Sequence, residues 1–225
     1  MLRRRAERME NEPNKRSLIL SQAFGLLMEK GYAKTSYTDI AKACQLTRPL
    51  VQYYFPKKEM FMQEFIERLI ELCNTYLRQH KLNTGYCFVD FYLTGTMYFT
   101  FLLENEGLIP LTKDLVSTRA ATEAISSVMA QWVASREELQ GFEYREVETA
   151  VIMSMGGVYD LVFHRLSEGE PDDIPSLLNW VIQATMKQLG LSTKGLTESF
   201  ENHALTTDVA EDANRYLLKE MPNVG

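Results

Sequence analysis

The chain has 225 residues, 45% of them apolar, with three histidines and three widely spaced cysteines, which supports a sizeable core and excludes a disulfide framework or a CxxC metal unit. Its net charge of −6 argues against nucleic acid only until it is divided: residues 1–60 hold 12 Lys/Arg against 6 Asp/Glu, a net of +6, and the remainder holds a net of −12. A basic end on an acidic body suits a DNA-facing head, and Cys44, Cys73 and Cys87 read as small core residues in a reducing, cytoplasmic setting.

Residues 1–14 read as a flexible basic arm with Arg3, Arg4, Arg5 and Arg8, and Met9 offers an alternative start that removes most of it. No apolar run follows the first charges, so no signal peptide is expected. A helix is expected over 15–30, with Ile19, Leu20, Ala23, Phe24 and Leu27 on one face and Gly31 closing it. Ser36 opens a short second helix, with Asp39 three residues on in a capping-box spacing. Thr47 caps a third helix whose first turn holds Pro49, where a missing N–H is tolerated. Pro56 ends it, and a longer helix runs over 57–78.

Residues 86–103 carry a single charge, Asp90. The stretch approaches membrane-crossing length, but its Thr, Gly and Tyr content favours a buried central helix. After a break at 107–110, helices are expected over 119–134, 144–166 and from Pro175 to about 189, with a short one near 208–219. The fold class is therefore all-α: a three-helix head over 15–56 on a larger helical body over 57–225.

Two short helices separated by a tight turn, the second opening on a polar cap, form the helix-turn-helix pattern. Within it stand Gly31-Tyr32, Thr35-Ser36, Asp39-Ile40-Ala41, Tyr53-Tyr54-Phe55 and Lys57-Lys58-Glu59. Over residues 16–65 the sequence resembles the DNA-binding signature of the TetR family of bacterial regulators. The resemblance implies a homodimer whose last two large helices pair across a two-fold axis, a ligand pocket in the body, and a repressor acting on a palindromic operator. Two departures touch the operator sequence rather than the fold. Gln45 stands where the family has glycine at the turn, and Pro49 and Gln52 replace a small residue and an aromatic in the third helix.

The expected DNA-binding residues are Ser36, Tyr37, Thr38, Thr47, Arg48, Pro49, Gln52, Tyr53, Tyr54 and Lys58. Arg48 can pair with guanine and Gln52 with adenine in the major groove. The tyrosine hydroxyls, the start of the second helix and Lys58 face phosphates. The aromatics of 86–103 and Trp132 suit either a packed core or a pocket for a small apolar or aromatic ligand. Tyr92, Tyr98 and Trp132 are the candidate lining, and Asp90, Thr94, Thr96 and His164 the candidate polar partners. Gly156-Gly157 inside a good helix points to a close contact with a second copy or to a kink. The sequence holds no HExxH, GxSxG or phosphate-loop motif, so no enzyme, metal or cofactor is expected, and no membrane partner. The rival reading is a DNA-binding regulator without a small-molecule inducer, controlled by a protein partner or by abundance.

Overall fold

The computed structural model describes residues 2–169 and 173–224, with side chains from Asn14 onward. Of the basic arm expected over 1–14, residues 1–13, with Arg3, Arg4, Arg5 and Arg8, lie outside the described side chains. Eleven α-helices and no strand are found among the described residues. Helices α1 (Leu2–Lys30), α2 (Tyr37–Ala43) and α3 (Arg48–Tyr54) form the head, and α4 (Glu59–Gln79) runs from it into the body. The body adds α5 (Cys87–Leu103), α6 (Ile109–Ser117), α7 (Arg119–Ala134), α8 (Tyr144–Glu168), α9 (Ile174–Gln188), α10 (Leu196–His203) and α11 (Thr207–Glu220).

Helix α5 is the centre of the body. It packs on α4, α9, α10 and α11, so almost every face is buried. That explains an apolar stretch without amphipathic period. Its one charge, Asp90, lies at the first turn and accepts hydrogen bonds from the Thr84 amide at 2.8 Å and the Thr84 hydroxyl at 3.0 Å. A Cβ at Gly95 would lie 2.4 Å from Leu178 Cδ2, so the Leu178 side chain of α9 fills the space that the glycine of α5 leaves open. No described helix is long and apolar enough to cross a membrane.

Two elements differ from the expected order. The break at 107–110 is a one-turn 3-10 helix (Glu106–Leu108) leading into α6, with Pro110 in the first turn. Proline reads as a stop in sequence yet is tolerated there, where its N–H has no helical partner. Helix α10 was not foreseen; it buries Leu196 and Phe200 one turn apart. Gly156-Gly157 does not break α8, which is continuous from Tyr144 to Glu168.

Candidate nucleic-acid interface and ligand cavity

The head is built around Ile19, Phe24, Ile40, Val51, Phe55 and Phe65, all buried. Ser36 caps α2: its hydroxyl accepts from the Asp39 amide at 3.2 Å, while the Asp39 carboxylate accepts from the Ser36 amide at 2.9 Å. The Ser36 hydroxyl, which also donates to the Asp39 carboxylate at 2.6 Å, then the Ser36 amide and Lys30 3.2 Å away hold that carboxyl at about 2, below the usual carboxylate range. The α2–α3 turn passes through Gln45 at φ 56°. Gln45 N donates to Lys42 O at 3.1 Å and Leu46 N to Ala41 O at 2.9 Å, the pair of bonds that closes a helix on a left-handed residue.

With Val51 and Phe55 anchored inside, α3 turns Arg48, Pro49 and Tyr53 outward, with Gln52 half-buried beside them. Tyr53 is the most exposed large hydrophobic side chain among the described residues of the head at 70%, and its ring meets that of Tyr54 edge-on, with centroids 5.5 Å apart. Thr38 and Thr47 are also exposed. Three expected contact residues also make bonds within the head. The Ser36 hydroxyl serves the cap. The Tyr37 hydroxyl donates to Phe55 O at 2.7 Å, tying α2 to the end of α3. Lys58 Nζ donates to Tyr32 O at 2.6 Å and lies 4.0 Å from the centre of the Tyr32 ring. Burial there lowers the Lys58 pKa. The reason is packing: the turn that brings α4 under the head aims the start of that helix at the α1–α2 loop.

That loop is also where the body reaches the head through α6. Asp114 Oδ2 accepts from Ala33 N at 2.8 Å. Gly31 sits at φ +82°, and a Cβ there would stand 2.9 Å from the same oxygen. Thr35, buried, fixes the loop by donating to Gly31 O at 2.7 Å. Tyr32 is pushed up to about 12 by burial, with Glu59, Tyr37 and Asp114 nearby.

In the body, a cavity of about 70 Å³ is lined by Ile70, Phe91, Thr94, Tyr98, Trp132 and Leu178, among other mainly apolar residues. Tyr98 and Trp132 therefore fall where the aromatic pattern puts a ligand, and Thr94 joins them. Tyr92 does not. Its ring stacks on Phe200 of α10, with centroids 4.4 Å apart and planes within 6°. Of the polar candidates, Asp90 is held by Thr84, Thr96 donates to Tyr92 O at 2.9 Å, and His164 lies exposed on α8 beside Glu168. The sequence reading did not single out Arg136, whose guanidinium covers the Trp132 ring at 4.9 Å.

On the outer side of α8 and α9, Ile152, Met153, Phe163 and Trp180 are exposed. Gly156 and Gly157 share this side of α8, with open space where a Cβ would point.

Residues 19–65 match the family described as bacterial regulatory proteins, tetR family. No curated protein matches the chain.

Proposed function

We propose that this chain, which belongs to the TetR family of bacterial regulators through its N-terminal DNA-binding domain and is thus a DNA-binding transcriptional regulator, acts as a ligand-responsive repressor and binds a palindromic operator as a homodimer. The observation that carries the DNA reading is the outer face of α3. Arg48, Gln52 and Tyr53 point away from a helix locked from behind by Val51 and Phe55. An arginine and a glutamine one helical turn apart suit guanine and adenine edges in one major groove. Thr38, Thr47, Pro49, Tyr53 and Tyr54 flank them as sugar and phosphate contacts. Ser36, Tyr37 and Lys58 support the head's shape rather than touch DNA.

The apolar side of α8 and α9 supports the dimer. Exposed Ile152, Met153 and Trp180 beside a glycine pair offer apolar area and close backbone approach to an identical surface. A two-fold pair then presents two copies of α3 to successive major grooves. The cavity supports the ligand reading, with Tyr98, Trp132 and Thr94 as its lining.

The test is selection of bound sequences from a random duplex library at about 100 mM salt, a concentration at which phosphate contacts still contribute. Wild type, Arg48→Ala and Gln52→Ala run side by side. A palindromic motif, relaxed at one position per half-site in each variant, is expected. An unpatterned pool, or variants that weaken binding without relaxing any position, overturns the assignment of base contacts to α3.

A further inference from the structure

The cavity in the body is nearly all apolar, but the wall that closes it on one side carries a charge. Ile70 and Trp132 line the cavity and also the groove outside it, between α4 and α7. Arg136 lies in that groove, with its guanidinium 4.9 Å from the centre of the Trp132 ring and 5.7 Å from that of Phe91. Both rings face the cavity, and they touch each other with centroids 4.6 Å apart. Arg136 Nε is buried and has no hydrogen-bond partner.

The groove's acidic residues are engaged elsewhere. Glu67 accepts from Gln63 at 2.9 Å, and Glu71 pairs with Arg68 at 3.3 Å. Glu138, two residues beyond Arg136, accepts from the Cys87 amide at 3.0 Å. Arg78, across the groove, donates to Thr75 Oγ1 at 2.9 Å and, like Arg136, has no carboxylate within 4.0 Å among the described residues. An apolar chamber thus ends at an aromatic wall backed by an arginine whose charge reaches Glu138 through space but whose guanidinium holds no carboxylate within 4.0 Å among the described residues.

We propose that Arg136 is the anion-reading group of the ligand site, and that the ligand is an amphipathic acid. Its hydrocarbon part occupies the cavity, and its carboxylate passes the Trp132 edge to the guanidinium. This rests on the reading of the cavity as a ligand site given above. Arginine suits the role because its planar fork takes both oxygens of a carboxylate and retains stacking on an aromatic ring. At roughly 10–15 Å³ of room per water, 70 Å³ holds on the order of five waters. At about 30 Å³ per water in the liquid that is the bulk of a hydrocarbon of about five or six carbons, which leaves the carbons next to the carboxylate to pass the Trp132 edge.

The probes are octanoate, 1-octanol and octylammonium, which share one tail and differ in head group. Each is titrated by calorimetry, and by the emission of Trp132 with Trp180→Phe removing the other indole, into the full-length protein and into Arg136→Ala and Arg136→Lys. Octanoate is expected to bind about 10- to 100-fold more tightly than octanol, the usual gain from a charge-assisted hydrogen bond, and octylammonium more weakly than either. Arg136→Ala should remove the octanoate advantage and leave octanol affinity within about two-fold, which reports an intact cavity; Arg136→Lys should retain part of it. Equal binding of acid and alcohol, or an advantage that survives Arg136→Ala, overturns the role of Arg136 while the cavity reading stands. Failure of all three probes to bind overturns both.

Discussion

Gln45 occupies a position that favours glycine. Its φ of 56° places a side chain in the left-handed region, which disfavours a non-glycine residue by about 1–2 kcal/mol. The same pair of closing bonds recurs at two other helix ends. After α9 the left-handed residue is Gly190, with Gly190 N donating to Lys187 O and Leu191 N to Met186 O. After α4 it is Lys81, again at φ 56°, with Leu82 N donating to Leu77 O. Gln45→Gly removes the strain but makes the unfolded chain more flexible, a loss of about 0.4–1 kcal/mol. The difference is a net gain of about 1 kcal/mol, or about 2–4 °C in Tm if the chain unfolds as one unit. Urea unfolding followed by circular dichroism should show a higher midpoint at unchanged slope. Gln45→Ala keeps the strain and should stay within about 0.5 kcal/mol of wild type. Lys81→Gly should give a gain of similar size, and the two glycine variants should add, since they close different helices with no shared partner. A midpoint that Gln45→Gly leaves unchanged or lowers would refute strain at this turn.

Lys58→Met should lower the stability of the head by about 1–2 kcal/mol through loss of the bond to Tyr32 O, yet leave the salt dependence of DNA binding unchanged. A phosphate contact would instead reduce the slope of log affinity against log salt by about one, read by titration at several salt concentrations. Gly95→Ala brings a Cβ against Leu178 Cδ2, the movable end of a side chain that borders the cavity, so the loss should fall at or below the low end of the range of about 1–3 kcal/mol that overpacking costs, measurable by thermal unfolding. Asp39, held at about 2 when folded, contributes stability that is fully present above its unfolded value of about 3.9. That contribution is lost as pH falls from about 4 toward 2, and Asp39→Asn should flatten stability against pH in that window. Met153→Glu together with Trp180→Glu should yield a folded monomer by light scattering, and an unaltered dimer would exclude this face as the two-fold contact.

The head was legible because its signals are local. Ser36 and Asp39 are three residues apart, Pro49 lies in the first turn of its helix, and Gln45 stands where the turn requires a left-handed residue. The inward duties of Tyr37 and Lys58 were not legible, since their acceptors are backbone carbonyls 18 and 26 residues away. A carbonyl carries no sequence mark. In the body the central helix was legible as an element but not in its facing. An apolar helix buried on all sides has no period to separate cavity from core, so Tyr92 and Tyr98 look alike in sequence. Only the neighbour decides, and for Tyr92 that neighbour is Phe200 on α10, a helix opened by Gly195 in what reads as an acidic tail. Arg136 follows the end of α7, beyond the reach of any helical pattern.

On the proposed reading, the body acts on the head through two hydrogen bonds on one loop, beside the packing of Phe61 and Phe65 of α4 on Phe55 and Phe24. Lys58, entering α4, donates to Tyr32 O at 2.6 Å, and Asp114 of α6 accepts from Ala33 N at 2.8 Å. Ile70, which lines the cavity, lies on the same helix as Phe61 and Phe65 of the shared core. Twelve residues separate Ile70 from Lys58, about 18 Å along a helix at 1.5 Å per residue. A tilt of about 5° at Ile70 therefore moves the Lys58 end by about 1.6 Å. Directed along the bond of 2.6 Å, a displacement of that size takes it beyond hydrogen-bonding range, while α6 still holds Ala33. A ligand that moves Ile70 thus shears the loop between two anchors and reorients α1 and α2, the helix on which the reading helix packs. A ligand that fills the cavity without moving Ile70 has equal affinity for both arrangements, and it leaves operator binding unchanged however tightly it is held.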